Sequence, residues 1–281
     1  MKALIIILLI ITIFGGAAYT VYKLFIVPQQ ELRAEKMAPP TPPPPDLTIP
    51  EFNKCVALRK ANRLIEARAA LSTFVDHYPE SSKIEDARNM LGDINTTIFL
   101  SSIPAPEKEV YVVQKGDVIN RVAARMKTSG ELIMKANNMS SSMLRIGQRI
   151  TVAPSDFSLL ISHKLDKVIV LNKGKFFKQY PILSWPPAHA KKPQPKGVPL
   201  PKVPGKVTDK IAWAGGTRVT VFDKNFREAT FWIVTSVPNC TLHGEAEEST
   251  HKPTGNGIRL APEALAELGF MLNKGDPVTL E

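Results

Sequence analysis

The chain has 281 residues, which is room for roughly two domains of ordinary size. Its 36 Lys and Arg residues outnumber its 26 Asp and Glu residues, and the formal net charge of +10 favours an anionic partner or surface. Two cysteines, Cys55 and Cys240, are too few for a disulfide framework, and the five scattered His residues have no zinc-site spacing. We therefore expect no metal and no other cofactor. We also expect no nucleic-acid partner, because no aromatic-interleaved basic motif accompanies the positive charge.

Residues 1–27 are predicted to form a transmembrane signal anchor. Residues 3–22 contain no charged side chain, and as a helix rising ~1.5 Å per residue they would span about 30 Å of bilayer. A cleaved signal peptide is the alternative, since Gly16-Ala17-Ala18 offers small residues to a peptidase. Residues 28–50 follow as a Pro-rich linker, whose composition favours extended polyproline II over a folded domain.

Residues 51–100 are predicted to be helical, because apolar residues recur every three or four positions up to Pro79 and again from Ile84 to Ile94. The pattern from Asn62 to Gly92 resembles a tetratricopeptide unit. Only about one and a half such units fit, whereas a solenoid of this type needs about three to stand alone. The segment is therefore either a docking hairpin for a protein partner or a helical arm packed on its own chain.

Residues 109–154 carry the clearest domain pattern. It predicts a strand at 111–113, a helix with Asp117 as its N-cap, a second helix opened by a capping box of Thr128 and Glu131, and a strand at 149–152. With Lys115-Gly116-Asp117 and Leu144-Arg145-Ile146-Gly147 at its loops, the segment resembles a LysM module, the small βααβ domain that binds N-acetylglucosamine chains. The resemblance implies peptidoglycan, both its glycan and its stem peptides, as the partner.

The resemblance also implies a glycan groove between the first strand-to-helix loop and the loop before the last strand. By position the groove residues are Gly116, Asp117, Val118, Ile119, Met143, Leu144, Arg145 and Ile146. The family usually has Thr at the position of Val118, so one hydrogen bond to a sugar is missing here. For Ile119 and Ile146 the alternative role is core packing, which we expect for both.

Residues 157–281 are predicted to form a β-rich domain. Two strand-like segments, 158–163 and 167–171, precede an Asn172-Lys173-Gly174 hairpin turn and a returning strand over 175–183. An amphipathic helix is expected over 263–272, followed by a closing strand. Together with the preceding segments this gives an α+β multidomain chain of transmembrane helix, short helical hairpin, βααβ domain and β-rich domain.

The β-rich domain contains His243-Gly244 and, further on, Thr254-Gly255-Asn256-Gly257-Ile258-Arg259-Leu260. The two segments resemble the active-site region of the L,D-transpeptidases of the YkuD family, which crosslink peptidoglycan through a Cys nucleophile and a His base. The resemblance places His243 at the base position and Arg259 at the matching Arg. Gly257 stands where the family has its Cys. Because glycine offers no nucleophile, the resemblance implies a catalytically silent domain.

A divergent L,D-transpeptidase with a different nucleophile is the competing hypothesis. Cys240 is the only thiol near His243, although positions 240 and 243 of a strand point to opposite faces. Thr254 and Ser249 are weaker candidates, since a hydroxyl needs stronger activation. A third hypothesis is an interaction protein whose helical segment recruits partners. Under the leading hypothesis the chain is anchored in the cytoplasmic membrane of a bacterial cell envelope, with its domains outside the cytoplasm.

Overall fold

The computed structural model describes residues 15, 16, 19–27, 29, 46–189, 201–220, 223–244 and 257–281. The chain divides into two compact units, Met1–Asp46 and Leu47–Glu281. In the first unit, Tyr22–Ile26 form one π-helical turn. Most of the predicted anchor and of the Pro-rich linker lies outside the described residues, so both stay predictions. Within the ranges that are described, no helix is both long and apolar enough to span a bilayer.

The second unit begins with three helices, α1 (Ile49–Lys60), α2 (Leu64–His77) and α3 (Ile84–Phe99). Their apolar stripes meet in one small core, as the helical spacing predicts. That core includes Phe52, Leu71, Phe74 and Ile94, all buried.

The helical segment packs on its own chain through α3. This helix lies against β5 (Lys175–Pro181), where Asn95 Nδ2 donates a 2.7 Å hydrogen bond to the Phe177 carbonyl. The ring of Phe99 packs edge-on against Phe157 and Phe177, with ring centroids 5.3 and 5.4 Å away. Of the two arrangements that the sequence allows for this segment, the structure therefore has the helical arm packed on its own chain.

The next four elements are β1 (Glu109–Val112), α4 (Ile119–Arg125), α5 (Gly130–Ala136) and β2 (Arg149–Val152). The order is the predicted strand, two helices and strand, and β1 and β2 pair antiparallel. Their shared core includes the buried side chains of Val122, Ile133 and Ile150.

Both predicted helix caps in this segment are wrong by one residue. The N-cap of α4 is Val118. Asp117 instead turns back and accepts hydrogen bonds from the Tyr111 hydroxyl at 2.6 Å and the Gln114 amide at 2.8 Å. The N-cap of α5 is Ser129, whose extended backbone lets its hydroxyl accept from the Leu132 amide. The hydroxyl of Thr128 is buried without a hydrogen-bond partner among the described residues.

The remaining strands form one sheet. They are β3 (Phe157–Ser162), β4 (Lys167–Asn172), β5, β6 (Val203–Ala214), β7 (Thr217–Val219), β8 (Thr230–Thr235), β9 (Thr241–His243), β10 (Gly257–Arg259) and β11 (Pro277–Leu280). The strand order is β10-β9-β8-β6-β11-β3-β4-β5, and β7 pairs with β6. The predicted hairpin between β4 and β5 is present, and Lys173 and Gly174 both have positive φ, as a tight primed turn requires.

One face of the sheet is covered by α6 (Pro262–Met271), the predicted amphipathic helix. Its Leu265 and Leu268 are buried in the main core together with Phe231 and Ile233 of β8. Side chains alternate along a strand, so Trp232 of β8 and His243 of β9 point to the opposite face. The candidate site therefore lies on the face of β8, β9 and β10 that α6 does not cover.

The βααβ segment is joined to this sheet through α5. Leu132 of α5 is buried in the main core rather than in the small core of its own segment. Beside it, Lys210 Nζ of β6 donates a 2.9 Å hydrogen bond to the Gly269 carbonyl and lies 3.5 Å from the Glu131 carboxylate. The segment and the sheet therefore share a packed boundary, and deleting the segment would expose part of the main core.

Candidate functional site

The two loops of the predicted glycan groove lie side by side. Backbone hydrogen bonds of 2.9 Å join Gly147 N to the Val113 carbonyl and Val113 N to the Gln148 carbonyl. Gly116 and Gly147 both have positive φ, which lets each loop turn tightly. The arrangement brings the segments around 116–119 and 143–146 to one edge of the domain.

Three apolar side chains at this edge face solvent. Val118 is 54% exposed, Ile146 72% and Met143 78%. Core packing was therefore the wrong expectation for Ile146, whereas Ile119 is buried as expected. The backbone of the loop turns the Ile146 side chain outward just before Gly147. Hydrophobic periodicity does not predict the direction of a side chain in a loop. Exposed apolar groups beside polar backbone suit the ring faces of a sugar, which are themselves apolar.

Asp117 was also predicted to be a groove residue, but its carboxylate is bound by other residues of the same domain. Hydrogen bonds lower the pKa of Asp117 below its usual value. The bond from the Tyr111 hydroxyl has the largest effect, and the bond from the Gln114 amide has the next largest. Its carboxylate oxygen Oδ2 accepts both bonds, and its Oδ1 lies 3.6 Å from Arg125. Asp117 therefore shapes the first loop.

The second candidate site is built on β9 and β10, which pair in parallel. Their register sets Gly257 beside Thr241 and Arg259 beside His243. A Cβ atom on Gly257 would lie 2.5 Å from the Thr241 carbonyl oxygen and 2.8 Å from His243 Nε2, and it would also overlap His243 Cδ2. The imidazole thus occupies the space that a side chain at position 257 would need.

The tautomer of the His243 ring follows from its neighbours. His243 Nδ1 lies 2.8 Å from the Gly244 carbonyl oxygen, which can only accept a hydrogen bond. In the neutral ring Nδ1 therefore carries the proton, and Nε2 has a lone pair directed toward Gly257. This is the orientation of a general base, but the residue that it faces has no group to deprotonate.

Arg259 is held next to His243 by its backbone. Its amide donates a 3.0 Å hydrogen bond to the Ser184 carbonyl, and its carbonyl accepts a 2.9 Å bond from the Leu183 amide. Residues 245–256 lie outside the described ranges, and with them the predicted turn at Thr254 and the candidate hydroxyls of Thr254 and Ser249. The assignment of roles to His243, Gly257 and Arg259 stays a prediction.

Cys240 has a different imidazole as its neighbour. Its Sγ lies 3.7 Å from His189 Nε2, a contact for which the sequence offers no signal because 51 positions separate the two residues. The same Nε2 lies 2.9 Å from the Pro238 carbonyl oxygen, so this nitrogen must carry the proton and cannot accept one from the thiol. Burial raises the pKa of Cys240 to about 11. A Cys nucleophile must ionise and needs a base to take its proton. Burial opposes ionisation of Cys240, and His189 Nε2 cannot take the proton.

We expect Cys240 to resist alkylation in the native protein. With a pKa of about 11, only about one thiol in a thousand is ionised at pH 8. Iodoacetamide should label Cys240 at least a hundredfold more slowly in native buffer than in guanidinium chloride, as followed by peptide mass spectrometry. Rapid labelling of Cys240 in native buffer would instead identify it as an accessible, activated thiol.

One comparison with known proteins identifies the βααβ segment. Residues 111–153 match the family model for the LysM domain, so the chain contains a LysM domain. No curated protein has a sequence that matches this chain. Among the residues that are described, no three His, Cys, Asp or Glu side chains are grouped as metal ligands would be.

The chain is also similar to solved L,D-transpeptidase structures. Mycobacterium tuberculosis L,D-transpeptidase 1 is 13% identical over 48% of this chain and 67% of its own, with a TM-score of 0.28. The Stackebrandtia nassauensis L,D-transpeptidase is 16% identical over 45% and 55%, with a TM-score of 0.29. A mutant of the Enterococcus faecium L,D-transpeptidase is 13% identical over 76% and 82%, with a TM-score of 0.28. TM-scores this low give no support to a functional role for the residues around His243.

Proposed function

We propose that this chain is a peptidoglycan-binding protein of the bacterial cell envelope. Its LysM domain binds the glycan, and its transpeptidase-like domain performs no acyl transfer. The observation that carries the proposal is the LysM match at 111–153 together with the exposed apolar edge at Val118, Met143 and Ile146. The apolar N-terminal segment supports attachment to the cytoplasmic membrane with the remaining domains outside the cytoplasm.

Catalytic silence is supported by the contact between His243 and Gly257. Transpeptidation through an acyl-enzyme needs a nucleophile within hydrogen-bond reach of its base. Position 257 offers no side chain, and the His243 ring fills the adjacent space. In its neutral form His243 Nε2 can still accept a hydrogen bond. The domain therefore keeps a polar site that has no nucleophile at position 257.

Divergent transpeptidation is the second candidate function, and the contact between Cys240 and His189 is the observation that favours it. The proton on His189 Nε2 and the raised pKa of Cys240 argue against it. Intact-mass analysis with a carbapenem, a reagent that acylates the nucleophilic Cys of this family, separates the two functions. The proposed function requires no adduct, whereas an adduct that disappears in Cys240→Ser would identify Cys240 as a nucleophile and favour the second function.

Sacculus binding tests the proposed function directly. Because Leu132 of the LysM domain is buried in the main core, deletion of the domain would confuse binding with folding. We therefore choose exposed positions, Met143→Ser combined with Ile146→Asn, in the full-length protein. We expect the amount that pellets with purified peptidoglycan to fall at least tenfold, since each lost apolar contact removes on the order of 1 kcal/mol.

The control is Val110→Asn, which replaces an apolar by a polar side chain at an exposed position of β1 that is not one of the groove residues. It should pellet like the unmodified protein, and all variants should have the same melting temperature. Undiminished pelleting of the double variant would refute the proposed glycan groove.

A further inference from the structure

A cleft of about 370 Å³ lies where α5 of the LysM domain meets β6 and β7 of the sheet. This volume is within the range of roughly 300–1,000 Å³ that is typical of small-ligand sites. The apolar part of its wall is formed by Ala212, Val219, Phe226 and Phe231. The cleft is separate from both candidate sites described above.

The charged groups around the cleft do not balance. Glu131, Asp209, Lys210, Arg218 and Lys274 supply three positive and two negative charges. Lys210 lies 3.5 Å from Glu131, and Lys274 lies 2.7 Å from Asp209, so each carboxylate is neutralised by a lysine. Within the described part of the chain, the guanidinium of Arg218 has no ion pair within 4 Å, although its charge is one of the lesser causes that lower the pKa of Asp209. One net positive charge is left at the rim.

One part of the cleft wall is a buried lysine. The Lys210 side chain is only 9% exposed, and its Nζ is held by the Gly269 carbonyl as well as by Glu131. The hydrogen bond from Lys274 lowers the pKa of Asp209, so this carboxylate stays ionised and keeps its lysine in place. Lys210 is therefore fixed within the wall. Lys274 is paired with Asp209 but its side chain is 65% exposed, so Arg218 is the lining cation that has no carboxylate partner of its own among the described residues.

We propose that this cleft binds the terminal carboxylate of a short peptide with small apolar side chains. The carboxylate pairs with the planar fork of Arg218, which matches two carboxylate oxygens, and the methyl groups lie on Val219 and Phe226. That the peptide is a stem peptide of the peptidoglycan held by the LysM domain rests on the proposed function. The cleft is positioned for this, because Glu131 on its wall belongs to the LysM domain itself.

The experiment is a chemical-shift titration of the labelled full-length protein with N-acetyl-D-alanyl-D-alanine. Its C-terminal amide removes only the charge, and we expect the amide to bind roughly tenfold more weakly or worse. Arg218→Gln should weaken binding of the carboxylate peptide by a similar factor, and Arg218→Lys by less, since a point charge replaces the fork. Lys175→Gln, which removes an exposed cation at the β4–β5 turn, should change nothing.

Three outcomes would overturn the proposal: equal affinity for peptide and amide, unchanged affinity in Arg218→Gln, or shifts that map away from the cleft. The all-L peptide identifies the source of the carboxylate. Preference for the D form supports a cell-wall peptide in the cleft, and preference for the L form supports a protein C-terminus there. If the protein does not bind the peptide but still pellets with the sacculus, only the cleft proposal is wrong. If the protein binds the peptide in the cleft but does not pellet, only the proposed function is wrong.

Discussion

Phe99→Ala is expected to lower the free energy of unfolding by about 3–5 kcal/mol. Phe99 ends α3 but is buried in the main core, where it packs edge-on against Phe157 and Phe177. Truncation would remove two aromatic pairs and leave a cavity that the sheet, held by its hydrogen bonds, cannot collapse to fill. Chemical denaturation followed by tryptophan fluorescence measures the change.

Leu47→Ala is the control for this experiment, because Leu47 is an exposed apolar residue just before the same helical segment. It should change the stability by less than about 0.5 kcal/mol. If Phe99→Ala were as mild as Leu47→Ala, the helical segment would be detached from the sheet in solution. That result would restore the docking hairpin as the better description of residues 51–100.

Gly257→Ala is expected to destabilise the protein by about 1–3 kcal/mol, and Gly257→Cys at least as much. The added Cβ would lie 2.5 Å from the Thr241 carbonyl oxygen, a backbone atom that cannot rotate away. The His243 ring would also have to move, which would break the bond from Nδ1 to the Gly244 carbonyl. Thermal and chemical unfolding of the variants measure the loss.

Introducing the Cys that the L,D-transpeptidases have should therefore not introduce their chemistry. In Gly257→Cys the new side chain would displace the His243 ring, which is the group that would have to activate the thiol, and a shift of about 1 Å can cost on the order of a hundredfold in rate. We expect no carbapenem adduct on this variant within hours. Rapid acylation of the introduced thiol in Gly257→Cys would show that the β9–β10 site tolerates a nucleophile.

Gly244→Ala is the matched control, because a Cβ there would meet Leu265 Cδ1 at an ordinary 3.4 Å. It should stay within about 1 kcal/mol of the unmodified protein. Adding His243→Ala to Gly257→Ala should recover part of the lost stability, since it removes one of the two overlaps. No recovery would place the strain on the Thr241 backbone alone.

The amino-acid sequence by itself determined the elements whose signals are local. The Asn172-Lys173-Gly174 turn requires positive φ at two successive residues, and both strands around it alternate. The strand, two helices and strand of residues 109–154 and the amphipathic helix α6 also follow from local signals, whereas the LysM identification rests on the resemblance. The helix caps were each missed by one residue. The composition rule favours Asp117 over Val118 and does not separate Thr128 from Ser129, whereas the extended backbone of an N-cap is found at Val118 and Ser129.

Tertiary structure alone decided which side chains meet. The closing strand β11 lies inside the sheet, parallel to β3 and antiparallel to β6, although more than 110 positions separate it from β3. His189 lies beside Cys240, Leu132 leaves its own domain's core for the main one, and Ile146 turns outward. A local pattern reports backbone preference and which face is apolar. Which element packs against an apolar face depends on long-range contacts. For that reason only the folded structure shows that the His243 ring fills the space beside Gly257.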